Sequence, residues 1–226
     1  PWIIRQYKQG AEVASLCVGA YLLAATGLLK GKKCSTHWAH AAAFRNLYPD
    51  VDLVDDRIMT AVDGIYTSGG AYSYLNLLLY LIEKNTNREV AVLASKMFMI
   101  DIDRDSQSPF IIFEGQKDHG DELVREAQQI IENSYNQKIA VADLASRVTL
   151  SRRTFERRFK TSTANTVYEY IQRVKVEAAK KQLEMGRKTV SEVMYDVGYS
   201  DTKSFRDLFK RVTGMSPVDY RIKFNG

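Results

Sequence analysis

Cysteine is scarce in this sequence, with only Cys17 and Cys34 among 226 residues. Two cysteines exclude the disulfide framework of a small secreted domain. Long apolar runs are also missing, because no stretch approaches the ~20 residues that cross a bilayer. The most apolar stretch, Leu75–Ile82, is too short for a span and predicts a buried helix. We therefore expect no membrane partner and no secretory signal, and the start at Pro1 suggests a piece of a longer protein.

Charge is distributed unevenly along the chain. Up to His119 there are 12 Lys and Arg against 13 Asp and Glu, and from Gly120 onward there are 20 against 14. The first part is thus nearly neutral, whereas the second carries a clear basic excess. A basic domain beside a neutral one is expected when only one of them meets phosphate. A solvated basic surface would give the same composition, so charge alone does not decide the function.

The last third of the chain contains one pattern twice. Each copy consists of a short amphipathic segment, a tight turn and a second amphipathic segment rich in Arg and Lys. A helix, a turn and a basic helix form the helix-turn-helix pattern, whose second helix enters the major groove of DNA. Duplex DNA is therefore the expected partner. The copies are Val141–Val148 with Phe155 and Phe159, and Val190–Val197 with Phe205 and Phe209.

The two basic helices have outward faces that can be predicted from helical spacing. At ~100° per residue, the phenylalanines mark the core side of each helix. Outward Arg and Lys can donate to guanine, and Glu or Asp can accept from cytosine. Arg152, Arg158 and Arg211 lie off the outward stripe, which favours phosphate contacts or plain surface charge. The predicted DNA contacts are Arg152, Arg153, Glu156, Arg157 and Lys160 in the first helix-turn-helix copy, and Thr202, Lys203, Arg206, Asp207 and Lys210 in the second copy.

A long helix is predicted between the two copies, over residues 166–185 and closed by Gly186. A helix of ~20 residues is ~30 Å long, close to the ~34 Å of one DNA turn. Such a spacer could present both basic helices to adjacent segments of the major groove, or it could merely pack the domain. Predicted caps support the division into helices. They are Asp121, the capping box Thr189–Glu192 and the pair Ser216–Pro217.

Upstream of the repeats, short apolar runs alternate with helical patterns. This alternation predicts an α/β domain with a largely parallel sheet. The expected domain spans residues 1–113, a polar linker spans 114–121, and an all-α domain with two helix-turn-helix units spans 122–226. The expected strands are 12–17, 33–36, 51–54 and 65–67, and the expected helices are 19–29 and 71–84.

The second copy resembles a known family. The stretch Asp196–Arg221 strongly resembles the signature of the AraC/XylS family of bacterial transcription regulators. The first copy is looser, because Thr149 stands where a glycine is frequent and Thr163-Ala164-Asn165 replaces a turn that contains glycine. The resemblance implies seven helices, with helix-turn-helix units at about 140–160 and 189–212 joined by the long helix.

The upstream part resembles the ligand domain of GlxA-type regulators, whose fold is that of class I glutamine amidotransferase-like and PfpI-type proteins. The resemblance implies a partial domain that lacks its first β/α units. Cys17 would then stand at the strand-to-helix turn that forms a nucleophile elbow in that superfamily. The motifs are Ser15–Ala20, Gly27–Gly31, Thr36–Trp38, Tyr48–Pro49, Tyr66–Gly69 and Asp103–Gln107.

Catalysis at Cys17 would require a base and an orienting acid. Val18 stands where catalytic relatives place a histidine, and their acidic residue comes from a part of the domain that is missing here. His37 could approach Cys17 from the next strand, or could be a structural histidine. We expect Cys17, Val18, Gly19 and His37 to line a ligand pocket, with no catalytic residue, cofactor or metal. A buried cysteine without a role is the remaining alternative.

Two functions of different classes follow. The first is a cytoplasmic transcription regulator that binds a promoter, senses a small nitrogenous effector and forms a homodimer through the α/β domain, with RNA polymerase as a further candidate partner. The second is a cysteine hydrolase or amidase with a helical accessory domain. The duplicated unit favours the regulator, since an accessory tail has no need for two groove-reading units.

Overall fold

The computed structural model describes residues 1–225, so Gly226, the end of the expected helical domain, lies outside the described residues. The chain divides into two compact units, Pro1–Ile111 and Ile112 onward. The division falls just before Phe113, where the sequence places the end of the first domain. Within residues 1–225, no helix has both the length and the apolar character to cross a membrane.

The first unit alternates short strands with helices, because short apolar runs are separated by amphipathic segments. Its strands are short, and the predicted runs 33–36 and 51–54 shrink to two residues each. The elements are α1 (Trp2–Lys8), β1 (Val13–Leu16), α2 (Gly19–Ala25), β2 (Lys33–Cys34), α3 (Ala41–Leu47), β3 (Asp52–Leu53), β4 (Met59–Val62), β5 (Ile65–Ser68), α4 (Ser73–Asn85) and α5 (Arg88–Met97).

The strands form a small three-stranded sheet and a separate pair. The sheet has the order β1-β5-β4, and β2 pairs with β3 in parallel. β1 and β5 run parallel, with Val13 opposite Ile65 and Leu16 opposite Ser68. β4 and β5 form an antiparallel hairpin that the sequence reading missed, although Asp63-Gly64 is a strong hairpin signal. Both turn residues have positive φ, 50° and 71°. The α/β class is confirmed, and the sheet is mixed rather than largely parallel.

The core of the first unit lies between the β-strands and the helices α2 and α3. The apolar stretch predicted to be a buried helix is α4, but its burial is one-sided. Leu77 and Leu79 are buried, whereas Leu78 is half exposed. The largest buried core members are Leu23, Leu29, Phe44, Leu53 and Ile65.

In the second unit, every regular element of the described residues is a helix, as the resemblance implied. Seven helices follow one another with short turns, and the long helix has the predicted bounds. The helices are α6 (Glu122–Ser134), α7 (Val141–Arg147), α8 (Arg152–Thr163), α9 (Val167–Met185), α10 (Val190–Asp196), α11 (Thr202–Thr213) and α12 (Pro217–Asn225). The predicted caps at Asp121, Thr189 and Ser216 all accept from the third backbone N–H of their helix.

The sequence repeat is a repeat of hydrogen bonds as well. Thr163 and Thr213 each donate 2.8 Å to the carbonyl oxygen four residues earlier. Tyr170 and Tyr220 are fully buried, and the hydroxyl of each donates to a glutamate on an earlier helix. The distances are 2.8 Å for Tyr170 and 2.6 Å for Tyr220. The accepting carboxylates belong to Glu132 and Glu184. The two copies therefore share one packing scheme.

α9 contributes to two separate cores. Its N-terminal half packs with α6, α7 and α8, and its C-terminal half packs with α10, α11 and α12. The helix therefore supports both helix-turn-helix units in addition to joining them. The shared residues are Val167, Tyr170 and Ile171 in the first core, and Val176, Ala179 and Leu183 in the second.

The irregular turns of the first copy adopt the same backbone as those of the second. Thr149 has φ 57° where Gly198 has φ 76°, and Ala164 has φ 56° where Gly214 has φ 75°. Left-handed backbone is unfavourable for a β-branched residue and free for glycine. The first copy therefore keeps the backbone geometry of the second copy with less suitable residues.

Candidate nucleic-acid interface and ligand site

Each recognition helix starts at a side-chain cap that the sequence reading did not identify. Ser151 accepts from the N–H of Thr154 at 3.3 Å, and Asp201 accepts from the N–H of Ser204 at 2.8 Å. Hydrogen bonds from the side chain and backbone of Ser204 lower the pKa of Asp201. Ser or Asp three residues before the paired backbone N–H is an N-cap signal that could have been found. The caps fix where the first turn of α8 and of α11 begins, which positions the residues that face outward.

All ten residues predicted to contact DNA are exposed on α8 and α11. Two of them are already engaged with each other, because Arg152 donates to Glu156 at 3.1 Å in an i,i+4 ion pair. An exposed pair of this kind contributes little to stability and can exchange partners with little loss. The interface therefore offers a cationic surface whose charges are available to a phosphate backbone.

The two recognition helices differ where they would read bases. Glu156 on α8 corresponds to Arg206 on α11, because Phe155 and Phe205 hold equivalent places in the two cores. In the same way Arg157 corresponds to Asp207. Both positions exchange a cation for an anion between the two helices, so their hydrogen-bonding preferences are opposite.

Arg158, which was expected to contact phosphate or to be plain surface charge, forms an ion pair within the helical unit. Its Nε and Nη2 donate to the two carboxylate oxygens of Asp121, both at 2.8 Å. Arg158 holds the pKa of Asp121 below its ordinary value. Asp121 also caps α6, so this bidentate pair ties α8 to α6. Arg211 is different, since it is exposed and donates 2.7 Å to Gln172 on α9.

The polar segment expected to be a linker packs against the helical unit. The N–H of Phe113 donates to Glu177 at 3.1 Å, and the Phe113 ring meets the Tyr170 ring edge to face at 5.1 Å. Gln116 accepts from the Asn165 amide at 3.0 Å. Residues 112–116 are thus part of the helical unit's surface layer.

Three buried charged residues on α9, Lys175, Glu177 and Lys180, have specific partners. Glu177 accepts from Lys180 at 2.8 Å, and both side chains are nearly inaccessible to solvent. Lys175 donates to the carbonyl of Val197 at 2.7 Å and lies over the Tyr199 ring. Burial lowers the pKa of Lys175. Lys175 therefore holds the turn of the second helix-turn-helix unit from α9.

Cys17 forms an elbow between β1 and α2. Its φ is 53°, a left-handed conformation that is uncommon outside glycine. Its N–H donates to Ser68 at 2.9 Å, and its carbonyl accepts from Thr36 at 3.0 Å. The neighbouring backbone therefore holds the strained residue in place, as in the nucleophile elbow of related folds.

Among the described residues, no hydrogen bond joins Cys17 to His37. The Nδ1 of His37 instead accepts from the N–H of Ala39 at 3.2 Å. Burial, and secondarily the proximity of His40, lowers the pKa of His37. The half-buried thiol of Cys17 contrasts with Cys34, which is fully buried and whose pKa burial raises to about 11.

The edge of the sheet beside Cys17 holds polar groups that lack partners. The hydroxyls of Ser68 and Ser73 are buried and make no hydrogen bond within residues 1–225. Ser68 ends β5, which runs parallel to β1, so it lies at the same sheet edge as Cys17. Of the other predicted ligand residues, Val18 is about half exposed and Gly19 begins α2. The carboxyl ends of parallel strands are the usual ligand edge of α/β folds.

Both units are similar to known proteins. Residues 144–223 match the model of a helix-turn-helix domain, and residues 2–84 match the DJ-1/PfpI family. The HTH-type transcriptional regulator GbdR of Pseudomonas aeruginosa is 26% identical over 96% of this chain, which spans only 59% of GbdR. The HTH-type transcriptional regulator GlxA of Rhizobium meliloti is 22% identical over 96% of this chain and 67% of its own length. Among solved structures, the DNA-binding domain of AdpA in complex with a target DNA is 29% identical over 46% of this chain and 94% of that chain, with a TM-score of 0.44.

Proposed function

We propose that this chain, which belongs to the AraC-type regulators that join a DJ-1/PfpI-family domain to a helix-turn-helix domain, binds promoter DNA through α8 and α11 and responds to a small effector. The observation that carries the proposal is the pair of equivalent, outward-facing cationic helices on one shared helix. α9 has 19 residues and is therefore ~28 Å long, which suits two successive major-groove segments.

The opposite charges at equivalent positions of α8 and α11 have a consequence for the symmetry of the DNA sequence that one chain would recognise. Glu156 and Arg157 are replaced by Arg206 and Asp207, so one chain would read two unlike half-sites. An inverted repeat inside the footprint of one chain is therefore not expected. A palindrome would arise only if two chains bind side by side.

The first test is the salt dependence of binding by the full chain to a duplex selected from a random library. If about six phosphates are neutralised, the slope of log K against log[salt] should be near −5. The basic excess from Gly120 onward and the exposed cations on α8 and α11 support this value. Fluorescence anisotropy at several salt concentrations would measure it. A flat salt response, or no binding at low salt, contradicts the proposal.

The second test separates base readout from positioning on the DNA. We expect Arg157→Ala and Arg206→Ala each to lower affinity for the selected site by about 1–3 kcal/mol and to relax preference at particular base pairs. Both side chains are exposed on the outward faces. Repeating the selection with each variant would show which base pairs lose their preference.

Arg211→Ala is the matched control, since Arg211 lies beside the outward face and contacts Gln172. This variant should weaken binding to all sequences about equally. If the three variants lose affinity uniformly, the assignment of reading faces is wrong.

For the effector, the polar edge formed by Cys17, Ser68, Ser73 and His37 is the proposed site. Unpartnered buried hydroxyls and a half-buried thiol suit a small polar metabolite, and the GlxA-type resemblance suggests a nitrogenous one. We further propose that the α/β domain forms a homodimer and that the DNA-bound regulator contacts RNA polymerase.

A cysteine hydrolase is the second candidate function, and the positive φ of Cys17 is the observation that favours it. Against it stand Val18 after the elbow and the absence of a Cys17–His37 hydrogen bond in the described chain, since a nucleophile requires an adjacent base. We therefore propose that the elbow serves ligand binding rather than turnover.

The third test concerns Cys17 directly. We expect no turnover of p-nitrophenyl acetate or a simple amide above the rate of the Cys17→Ser variant, because no hydrogen bond joins the thiol to a base among residues 1–225. The same variant should retain its affinity for the selected duplex, since Cys17 lies outside the helical unit. Hydrolysis that disappears with Cys17→Ser would establish the enzymatic alternative instead.

A further inference from the structure

α5 exposes a row of apolar side chains that no other element of its own unit covers. Leu93 is 58% exposed, Met97 70% and Val90 41%. The row continues into the loop after the helix, where Phe98 is 70% and Met99 92% exposed. Contiguous apolar surface of this kind on a folded domain marks an interaction site.

Helical spacing gives this face a definite layout. Ala91 and Ser95 are buried against the rest of the unit, which places Leu93 at the centre of the opposite side. Val90 and Met97 are seven residues apart and flank Leu93 on one side, so they share one angular position. The flank on the other side is formed by Glu89 and Lys96, which are also seven residues apart.

We propose that this face binds a second copy of the chain, with the two α5 helices antiparallel about a twofold axis beside Leu93. In an antiparallel pair, side chains on the same flank of both helices meet, in order reversed about the centre. Leu93 would therefore pack on the partner's Leu93, and Val90 on the partner's Met97. Glu89 would pair with the partner's Lys96, and the twofold axis would form the Val90–Met97 and Glu89–Lys96 contacts twice each.

The charges support a second copy over an unrelated partner. Glu89 and Lys96 are exposed, and neither forms an ion pair among the described residues. Seven residues of helix separate them by ~10 Å, so they cannot reach each other within one chain. The antiparallel register is the arrangement in which each meets an opposite charge. The α5 face is thus complementary to itself in both shape and sign.

This inference rests on the dimeric regulator proposed above and assigns its contact surface. It also lies outside the segment that matches the DJ-1/PfpI family, which ends at residue 84.

The test is sedimentation equilibrium of the 226-residue chain with charge-reversed variants. We expect a dimer for the unaltered chain, and a dissociation constant raised about tenfold or more by Glu89→Lys or Lys96→Glu, because each places like charges together twice. The double variant Glu89→Lys/Lys96→Glu rebuilds both pairs with reversed sign and should return to within about threefold of the unaltered chain. Lys30→Glu, at an exposed site away from α5, should leave the dimer unchanged.

Cross-linking tests the twofold axis independently. In a Cys17→Ser background, Leu93→Cys should form a disulfide-linked dimer under mild oxidation, because only facing residues bring their Cα atoms within ~7 Å. Lys30→Cys should not. A monomeric chain, a dimer insensitive to α5 substitutions, or a double variant without rescue would overturn the proposal, as would a dimer of different register that fails to cross-link at Leu93.

The same samples distinguish this inference from the proposed function. Binding to a single selected duplex, measured with monomeric charge variants, reports on α8 and α11 alone. If the unaltered chain dimerises through α5 but binds no duplex, the regulator proposal fails while the interface stands.

Discussion

Adding one methyl group at Gly198 is expected to destabilise the helical unit by about 3 kcal/mol, from left-handed strain and overpacking together. Gly198 has φ 76°, and a Cβ there would lie 2.3 Å from the carbonyl oxygen of Asn136 and 2.8 Å from the Lys175 amine. Backbone atoms cannot move aside as a flexible side chain can. The turn of the second helix-turn-helix unit would therefore have to shift.

Urea unfolding of Gly198→Ala would measure the effect with an internal control. Both tryptophans, Trp2 and Trp38, lie in the first unit, so tryptophan fluorescence follows that unit alone. Far-UV circular dichroism is dominated by the helices of the second unit. The helical transition should shift to lower urea while the fluorescence transition stays in place. Equal shifts in both signals, or no shift, would contradict the argument.

Thr149→Gly is the matched variant in the first copy, where the same turn carries a side chain at φ 57°. Removing the side chain relieves left-handed strain but adds freedom to the unfolded chain, so a net gain of up to about 1 kcal/mol is expected. Gly198→Ala and Thr149→Gly are thus expected to change the free energy of unfolding in opposite directions. Measuring both variants tests the argument more strictly than measuring either one alone.

Glu177→Ala should destabilise the helical unit by about 3 kcal/mol, because it removes one member of a buried ion pair. Glu177 accepts from Lys180 at 2.8 Å and from the N–H of Phe113 at 3.1 Å. Removal would leave the Lys180 ammonium buried without this carboxylate and would release the segment that contains Phe113. The same urea experiment would measure the loss.

Two controls locate the cause. Glu177→Gln keeps an acceptor for Phe113 but removes the charge, so its effect should be intermediate. Lys181→Ala, at an exposed position of the same helix, should change stability by less than about 0.5 kcal/mol. A small effect of Glu177→Ala would mean that solvent reaches the pair and that the segment 112–116 is held by its other contacts.

Much of the helical unit could be predicted from the sequence, because its signals are local. The spacing of Phe155 and Phe159 identifies the core face of α8, and the capping box at Thr189 identifies the start of α10. The outward face follows from the inward one by helical geometry. The exposure of Arg157 and Arg206 therefore needed no tertiary information.

The remainder depends on contacts between distant residues. Arg158 and Asp121 are 37 positions apart, so no local pattern indicates that they pair. The N–H of Phe113 likewise donates to Glu177 from 64 positions away. In the first unit, strands of two residues such as β2 and β3 are too short for a periodic signal. The sequence therefore predicts the exposed faces of the helices, but not the hydrogen bonds and ion pairs that join distant elements.

The placement of α9 in two cores has a consequence for local unfolding. Opening either core would expose apolar side chains of the same helix, so neither copy can lose its structure without weakening the other. The two helix-turn-helix units should therefore unfold together. The amides in the middle of α9 should exchange their hydrogens only when the whole helical unit opens. The two copies of the sequence repeat therefore form a single cooperative folding domain.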